Sequence, residues 1–207
     1  MTDRGSVDSN QNRADYEDNY ISNKEDALKS LRNDIGDCHR CTLSEHRNNI
    51  VFGEGNPDAK LMFIGEGPGR DEDIQARPFV GDAGKLLAKL ISKMGFKREE
   101  VYIANIVKCR PPSNRDPEND EITACRPYVE KQIEIINPKA IVSLGRIAAQ
   151  SLLRSKTPIS KLRGSFYDFQ DIPVMPTFHP AYLLRNPRGK WLTWDDMQKV
   201  LEKLKER

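Results

Sequence analysis

The stretch Leu61-Met62-Phe63-Ile64-Gly65-Glu66-Gly67-Pro68-Gly69 constrains this chain most, because four large apolar residues empty abruptly into glycines with one carboxylate among them. An apolar run without polar alternation suits a strand covered on both faces, and the glycines permit close backbone approach to a ligand. Further runs of this kind alternate with helical spacing. Leu86, Leu87, Leu90, Ile91 and Met94 mark a helix closed by Gly95, and residues 101–107 read as a second strand. Ile122, Cys125, Val129 and Ile133 mark the next helix, followed by a third strand at Ala140–Leu144, a helix over 147–153 and a fourth strand over 174–177. Thr193 is expected to cap a last helix with Met197, Val200, Leu201 and Leu204 on one face. Strands separated by helices predict an α/β fold, a three-layer α/β/α sandwich around a central four-stranded parallel sheet.

Residues 1–21 are polar with few aliphatic side chains and predict a disordered tail. Residues 22–207 are then one domain, a length that a single core serves. Ser22 and Glu25 have capping-box spacing ahead of Ala27, Leu28, Leu31 and Ile35, so a short amphipathic helix leads into Cys38. The 33 Lys and Arg nearly cancel 31 Asp and Glu, leaving +2, so only clustering, not total charge, can argue for nucleic acid. No run has the length of a membrane span and the N-terminus lacks a signal-peptide core; a cytoplasmic, nucleoid-associated monomer is the expectation.

Ligands bind outside the carboxyl ends of the strands in such sheets. Glu66 ends the first strand, Asn105 lies inside the second, and Phe178-His179-Pro180 follows the fourth. Burying the Asn105 amide costs about 1–3 kcal/mol unless it is bonded, and it offers a donor and an acceptor side by side, the complement of a uracil edge. His179 can donate to a leaving group or shuttle a proton. Phe79, in Arg77-Pro78-Phe79-Val80-Gly81, offers a face for stacking a planar base. Each has a plainer counterpart: a turn carboxylate facing water, an amide bonded to a loop, a core imidazole, a packed aromatic.

Cys38-x-x-Cys41 with Cys109 and Cys125 accounts for all four cysteines. A reducing compartment disfavours structural disulfides. The wide spacing of the second pair favours an iron–sulfur cluster, with a four-cysteine zinc site as the alternative. Lys108, Arg110 and Arg115, and again Arg185, Arg188 and Lys190, gather where a phosphate backbone can pass, and Tyr182, Leu183 and Leu184 are apolar residues suited to wedge between bases. Arg70 stands where a dinucleotide fingerprint needs its third glycine, and Gly84-Lys85 lacks the rest of a P-loop, so neither NAD nor ATP is supported.

Gly65-Glu66-Gly67-Pro68-Gly69 with Glu72-Asp73, Arg77-Pro78-Phe79-Val80-Gly81, Asn105-Ile106-Val107-Lys108-Cys109-Arg110-Pro111-Pro112 and His179-Pro180-Ala181 together resemble the family 4 uracil-DNA glycosylases, which carry a [4Fe-4S] cluster. The resemblance implies hydrolysis of the N-glycosidic bond of deoxyuridine, flipped out of single- or double-stranded DNA. It implies that Phe79 stacks on uracil, Asn105 reads its edge, His179 bonds the developing anion, and Glu66 positions water or stabilises the sugar cation. It places Gly67 and Glu72 in the substrate pocket, Glu72 beside uracil C5, and Leu183 and Arg185 against DNA. It implies cluster ligation by Cys38, Cys41, Cys109 and Cys125, with no redox step. Where family 1 enzymes have a water-activating aspartate this chain has Gly67. Lys108 is a poor Schiff-base candidate, so a monofunctional enzyme is expected, and the stretch Arg110 to Glu118 lacks the histidine of relatives that bond covalently to the abasic sugar, so irreversible capture is disfavoured. The rival expectation is a non-catalytic DNA-binding module that tethers a replication or repair partner through its tail.

Overall fold

The computed structural model describes residues 23–206, so the expected tail and the Ser22 cap lie outside the described residues. Helix α1 covers residues 23–35. Strand β1 (Glu54–Gly55) precedes β2 (Leu61–Gly65), which leads into α2 (Arg70–Gln75) and α3 (Asp82–Lys93). Then come β3 (Tyr102–Asn105), α4 (Asn119–Ile136), β4 (Ala140–Leu144), α5 (Arg146–Leu153), α6 (Ile159–Leu162), β5 (Tyr167–Phe169) and β6 (Ile172–Thr177). Helices α7 (Pro180–Arg185) and α8 (Gly189–Lys205) close the fold.

The four strands expected from the apolar runs form the parallel centre, β3-β2-β4-β6. Two short antiparallel strands extend it at the edges, giving six in the order β1-β3-β2-β4-β6-β5. Successive side chains of a strand point to opposite faces, and β2 shows the consequence. Met62 and Ile64 pack with Leu28 of α1, Val129 and Ile133 of α4 and Leu152 of α5. Leu61 and Phe63 pack on the other side with Leu87 and Ile91 of α3 and Met197 and Val200 of α8. The result is the expected three-layer sandwich, with both sheet faces dry.

One helix expectation shifts. α8 begins at Gly189, a turn before Thr193, which is a buried residue inside the helix and not its cap. The stretch after His179 is a short helix, α7, with Pro180 in its first turn, where a missing N–H costs nothing. Among the described residues no helix is long and apolar enough to cross a membrane.

Candidate active site

The carboxyl ends of β2, β3 and β6 open into a cleft of about 530 Å³, lined by Glu66, Gly67, Glu72, Phe79, Asn105, His179 and Arg185 among others. All the expected catalytic and substrate-contacting side chains therefore meet in one place. Leu183 does not join them. It lies on the inward side of α7, 3 % exposed, against Gly189, whose Cβ would come within 2.8 Å of its Cδ2. The exposed apolar side chains of that helix are Tyr182 and Leu184, and Tyr182 lines the cleft.

Phe79 is held by a brace of several parts. Its φ of 52° is a left-handed conformation that a bulky residue rarely takes. Glu72 fixes the turn by accepting from Val80 N and Gly81 N, both at 2.9 Å, and from Gly69 N at 3.1 Å. The Glu72 carboxylate expected beside uracil C5 is thus largely committed to backbone. Arg98 donates to the Pro78 carbonyl and, at 2.8 Å, to Glu54 of β1, which also takes Arg77 Nε at 2.7 Å. The edge strand so anchors the loop. Gly84 of α3 lets the loop close down, because a Cβ there would sit 2.0 Å from the Phe79 carbonyl.

Asn105 is 1 % exposed and stands beside Gly65 in the β2–β3 register. Its Oδ1 has no hydrogen-bond partner among the described residues. A buried acceptor left open is costly, and here it lines the cleft. The Phe79 ring lies 5.7 Å from the His179 ring, with 34° between their planes. His179 Nδ1 accepts from Ala181 N at 3.1 Å, so the neutral ring carries its proton on Nε2, a donor. Burial pushes His179 down to about 4; the Glu72 carboxylate opposes this and Arg185 adds to it. The strand end beneath is fixed by Thr177, whose hydroxyl donates to Asp196 of α8 at 2.6 Å.

Glu66 is pushed up to about 7, mainly by burial, with Asp116 raising it further and Arg146 opposing. Arg146 pairs with Asp116, a pair that no sequence motif flagged because it joins a loop to the first residue of α5. The cleft thus combines an aromatic face, an open amide acceptor, a neutral imidazole donor and a carboxylate. That set complements a planar base with one N–H donor and carbonyl acceptors.

The four cysteines line one small cavity together with Ile35, Arg47, Ile50, Lys108 and Tyr128. Lys108 N donates to Cys125 Sγ at 3.2 Å, and Arg47 Nη1 donates to Cys109 Sγ at 3.5 Å and to the Cys38 carbonyl at 2.7 Å. Burial pushes the Cys125 thiol up to about 11, opposed by Lys108, so four thiolates here need a cation to compensate them. A four-sulfur donor set with N–H groups aimed at sulfur fits a metal–sulfur group, although among the described residues no three His, Cys, Asp or Glu stand ready to hold a single ion. Glu121 of α4 ties this region to the cleft loop: it accepts from Arg115 at 2.7 and 2.9 Å and from Thr42 at 3.1 Å. Lys108, read in the sequence as a phosphate contact, is instead 1 % exposed. Its Nζ donates to the Asn105 carbonyl at 2.9 Å and to Gln132 Oε1 at 2.6 Å.

Known proteins resemble this chain in sequence over most of its length. The family model of the Uracil DNA glycosylase superfamily matches residues 52–205. A type-4 uracil-DNA glycosylase of Saccharolobus solfataricus is 47% identical over 188 residues, covering 86% of this chain and 87% of the relative. The chain belongs to the type-4 uracil-DNA glycosylases. The protein of that name from Sulfurisphaera tokodaii is 46% identical over 186 residues, 86% of this chain and 84% of the relative. The one from Thermotoga maritima is 43% identical over 187 residues, 88% and 97%.

Proposed function

We propose that this protein removes uracil from DNA by hydrolysing the N-glycosidic bond of a flipped-out deoxyuridine, leaving an abasic site. The observation that carries this reading is the unpartnered, buried Oδ1 of Asn105 beside Phe79 and His179. Uracil stacked on Phe79 presents N3–H to that acceptor, and a bond formed only with substrate is one from which recognition gains. As C1′–N1 breaks, its electron pair moves onto the uracil ring, and His179 Nε2–H bonds the developing anion without giving up its proton. Glu66, when ionised, favours the oxocarbenium-like sugar or holds the water that adds to C1′. Gly67 lines the same cleft, and Arg185 at the rim contacts phosphate.

Within this reading residues 22–207 act as one glycosylase domain, a monomer that works on nucleoid DNA in the cytoplasm, on single or double strands. Cys38, Cys41, Cys109 and Cys125 hold a [4Fe-4S] cluster, which supplies order to the loops around it. Lys108 lines the cysteine cavity and is bonded away from the cleft, which supports a monofunctional enzyme without a Schiff base. The test is incubation of the cluster-loaded protein with uracil-containing single- and double-stranded DNA. Strand breaks at uracil should appear only after alkali. A loaded protein that yields none, yet binds DNA even as the Asn105→Ala/His179→Ala double variant, would be a binding module and not an enzyme.

A further inference from the structure

The edge of the sheet beside Asn105 is irregular. Glu54 of β1 pairs with Ile103, and the next backbone bond between the same two segments is Val51 N to the Lys108 carbonyl, 2.8 Å. Between these two links Phe52 and Gly53 on one side therefore face the four residues 104–107 on the other, and the surplus leaves the Asn105 carbonyl without a strand partner. Lys108 Nζ takes that place at 2.9 Å.

The same ammonium bonds Gln132 Oε1 at 2.6 Å. The Gln132 amide in turn donates to the Phe52 carbonyl at 3.0 Å and to the Tyr102 hydroxyl at 3.2 Å. Lys108 N adds a second grip on α4 through Cys125 Sγ. Lys108 and Gln132 are fully buried, a position in which a cation persists only when its bonds are well made. An aliphatic side chain would fill this space at less desolvation cost. What it would lack is a donor fixed on the main chain of Asn105, the residue whose side chain lines the cleft.

We propose that Lys108 is a positioning residue for base reading: its ammonium holds the Asn105 main chain against Gln132 of α4, and so sets where the Asn105 amide stands in the cleft. The role rests on the glycosylase reading for its meaning but not for its test. Lys108 touches no substrate, and the cleft lining does not include it.

The experiment compares cluster-loaded wild type with Lys108→Met, Gln132→Leu and Gln132→Glu. Gln132→Glu keeps an acceptor for the ammonium and serves as the conservative rescue. Inhibition by free uracil reports base reading, binding of duplex containing a tetrahydrofuran abasic analogue reports DNA contacts without a base, and iron per chain reports the cysteine site. Lys108→Met and Gln132→Leu should weaken uracil inhibition about tenfold, the usual scale for losing a bond to a charged group. Abasic-duplex affinity and iron content should hold, and Gln132→Glu should restore most of the uracil inhibition. Hydrogen exchange over residues 102–107 should quicken in the first two variants only. Parallel loss of uracil and abasic-duplex binding, or unchanged uracil inhibition and exchange, would overturn the proposal. If wild type itself releases no uracil, the glycosylase reading fails, and exchange over residues 102–107 still decides on Lys108.

Discussion

A Cβ built on Gly65 would lie 2.4 Å from Asn105 Oδ1, its register neighbour on the adjoining parallel strand, and 2.5 Å from Phe79 Cζ. Absence of a side chain at Gly65 is therefore what allows amide and aromatic ring to meet at the floor of the cleft. Gly65→Ala should displace both. Overpacking costs about 1–3 kcal/mol in stability, but misplacing recognition groups by about 1 Å costs about 100-fold in rate. Single-turnover uracil release should fall far more than the melting midpoint; retained activity would show that Asn105 and Phe79 tolerate the shift.

Asn105 should separate activity from stability. Its Oδ1 is desolvated without compensation among the described residues, a cost of about 1–3 kcal/mol to the free protein. Asn105→Ala removes that cost while opening a small void, so the two effects oppose. The expected result is uracil release reduced about 100-fold with a melting midpoint held or slightly raised. A midpoint lowered by many degrees would mean that the amide serves the fold instead.

The particular residues show why some of this could be read from the sequence. The four central strands announce themselves because burial on both faces demands unbroken apolar runs, and Glu66, Asn105 and His179 stand at or near their carboxyl ends, where open α/β sheets bind ligands. β1 and β5 carry no such signal, since two or three residues at an edge pair by backbone alone. Tyr182-Leu183-Leu184 cannot reveal which member faces inward without the phase of α7. Lys108 reads as a surface cation because its acceptors, the Asn105 carbonyl and Gln132, converge only through the bulge and α4. Glycine at the start of α8 hides that helix's first turn.

Two titrations bracket the pH dependence. His179 is held near 4 and stays neutral above that, so it should not shape the profile near neutrality. Glu66 at about 7 should: if the carboxylate form is the active one, the single-turnover rate rises with pH and levels off above about 7. Glu66→Gln should lower the rate and flatten the rise. Stability runs the opposite way. A carboxyl whose folded pKa is raised carries no penalty below its unfolded value, near 4.5, and an increasing one as pH climbs through about 7. Glu66→Gln should accordingly raise the melting midpoint at pH 8 and leave it nearly unchanged at pH 4. An equal shift at both would point to packing, not charge.

The cysteine cavity gives a direct test of what it holds. Cys125→Ser removes the sulfur that accepts from Lys108 N and is expected to lower iron and acid-labile sulfide together, with loss of visible colour and weaker protection of residues 38–47 from proteolysis. Uracil release should fall with the loss of order, since Thr42 and Arg115 share Glu121 across the two loops. Colourless wild-type protein holding one zinc per chain after anaerobic purification would replace the cluster with a zinc site.

Leu183 and Tyr182 are neighbours with opposite surroundings, and they should fail in opposite ways. Leu183 is packed on the inward side of α7, and truncating a buried leucine costs about 2–5 kcal/mol. Leu183→Ala should therefore melt several degrees lower while the folded fraction keeps its preference between strands. Tyr182 is 41 % exposed at the cleft, with its ring 5.0 Å from Phe178. That is where a side chain can enter the gap left by a flipped nucleotide. Only duplex DNA has a stack to hold open, so Tyr182→Ala should reduce uracil release from double strands more than from single strands, at an unchanged midpoint. If Leu183→Ala instead spares the midpoint and selectively impairs duplex activity, then α7 repacks on DNA and Leu183 is the wedge.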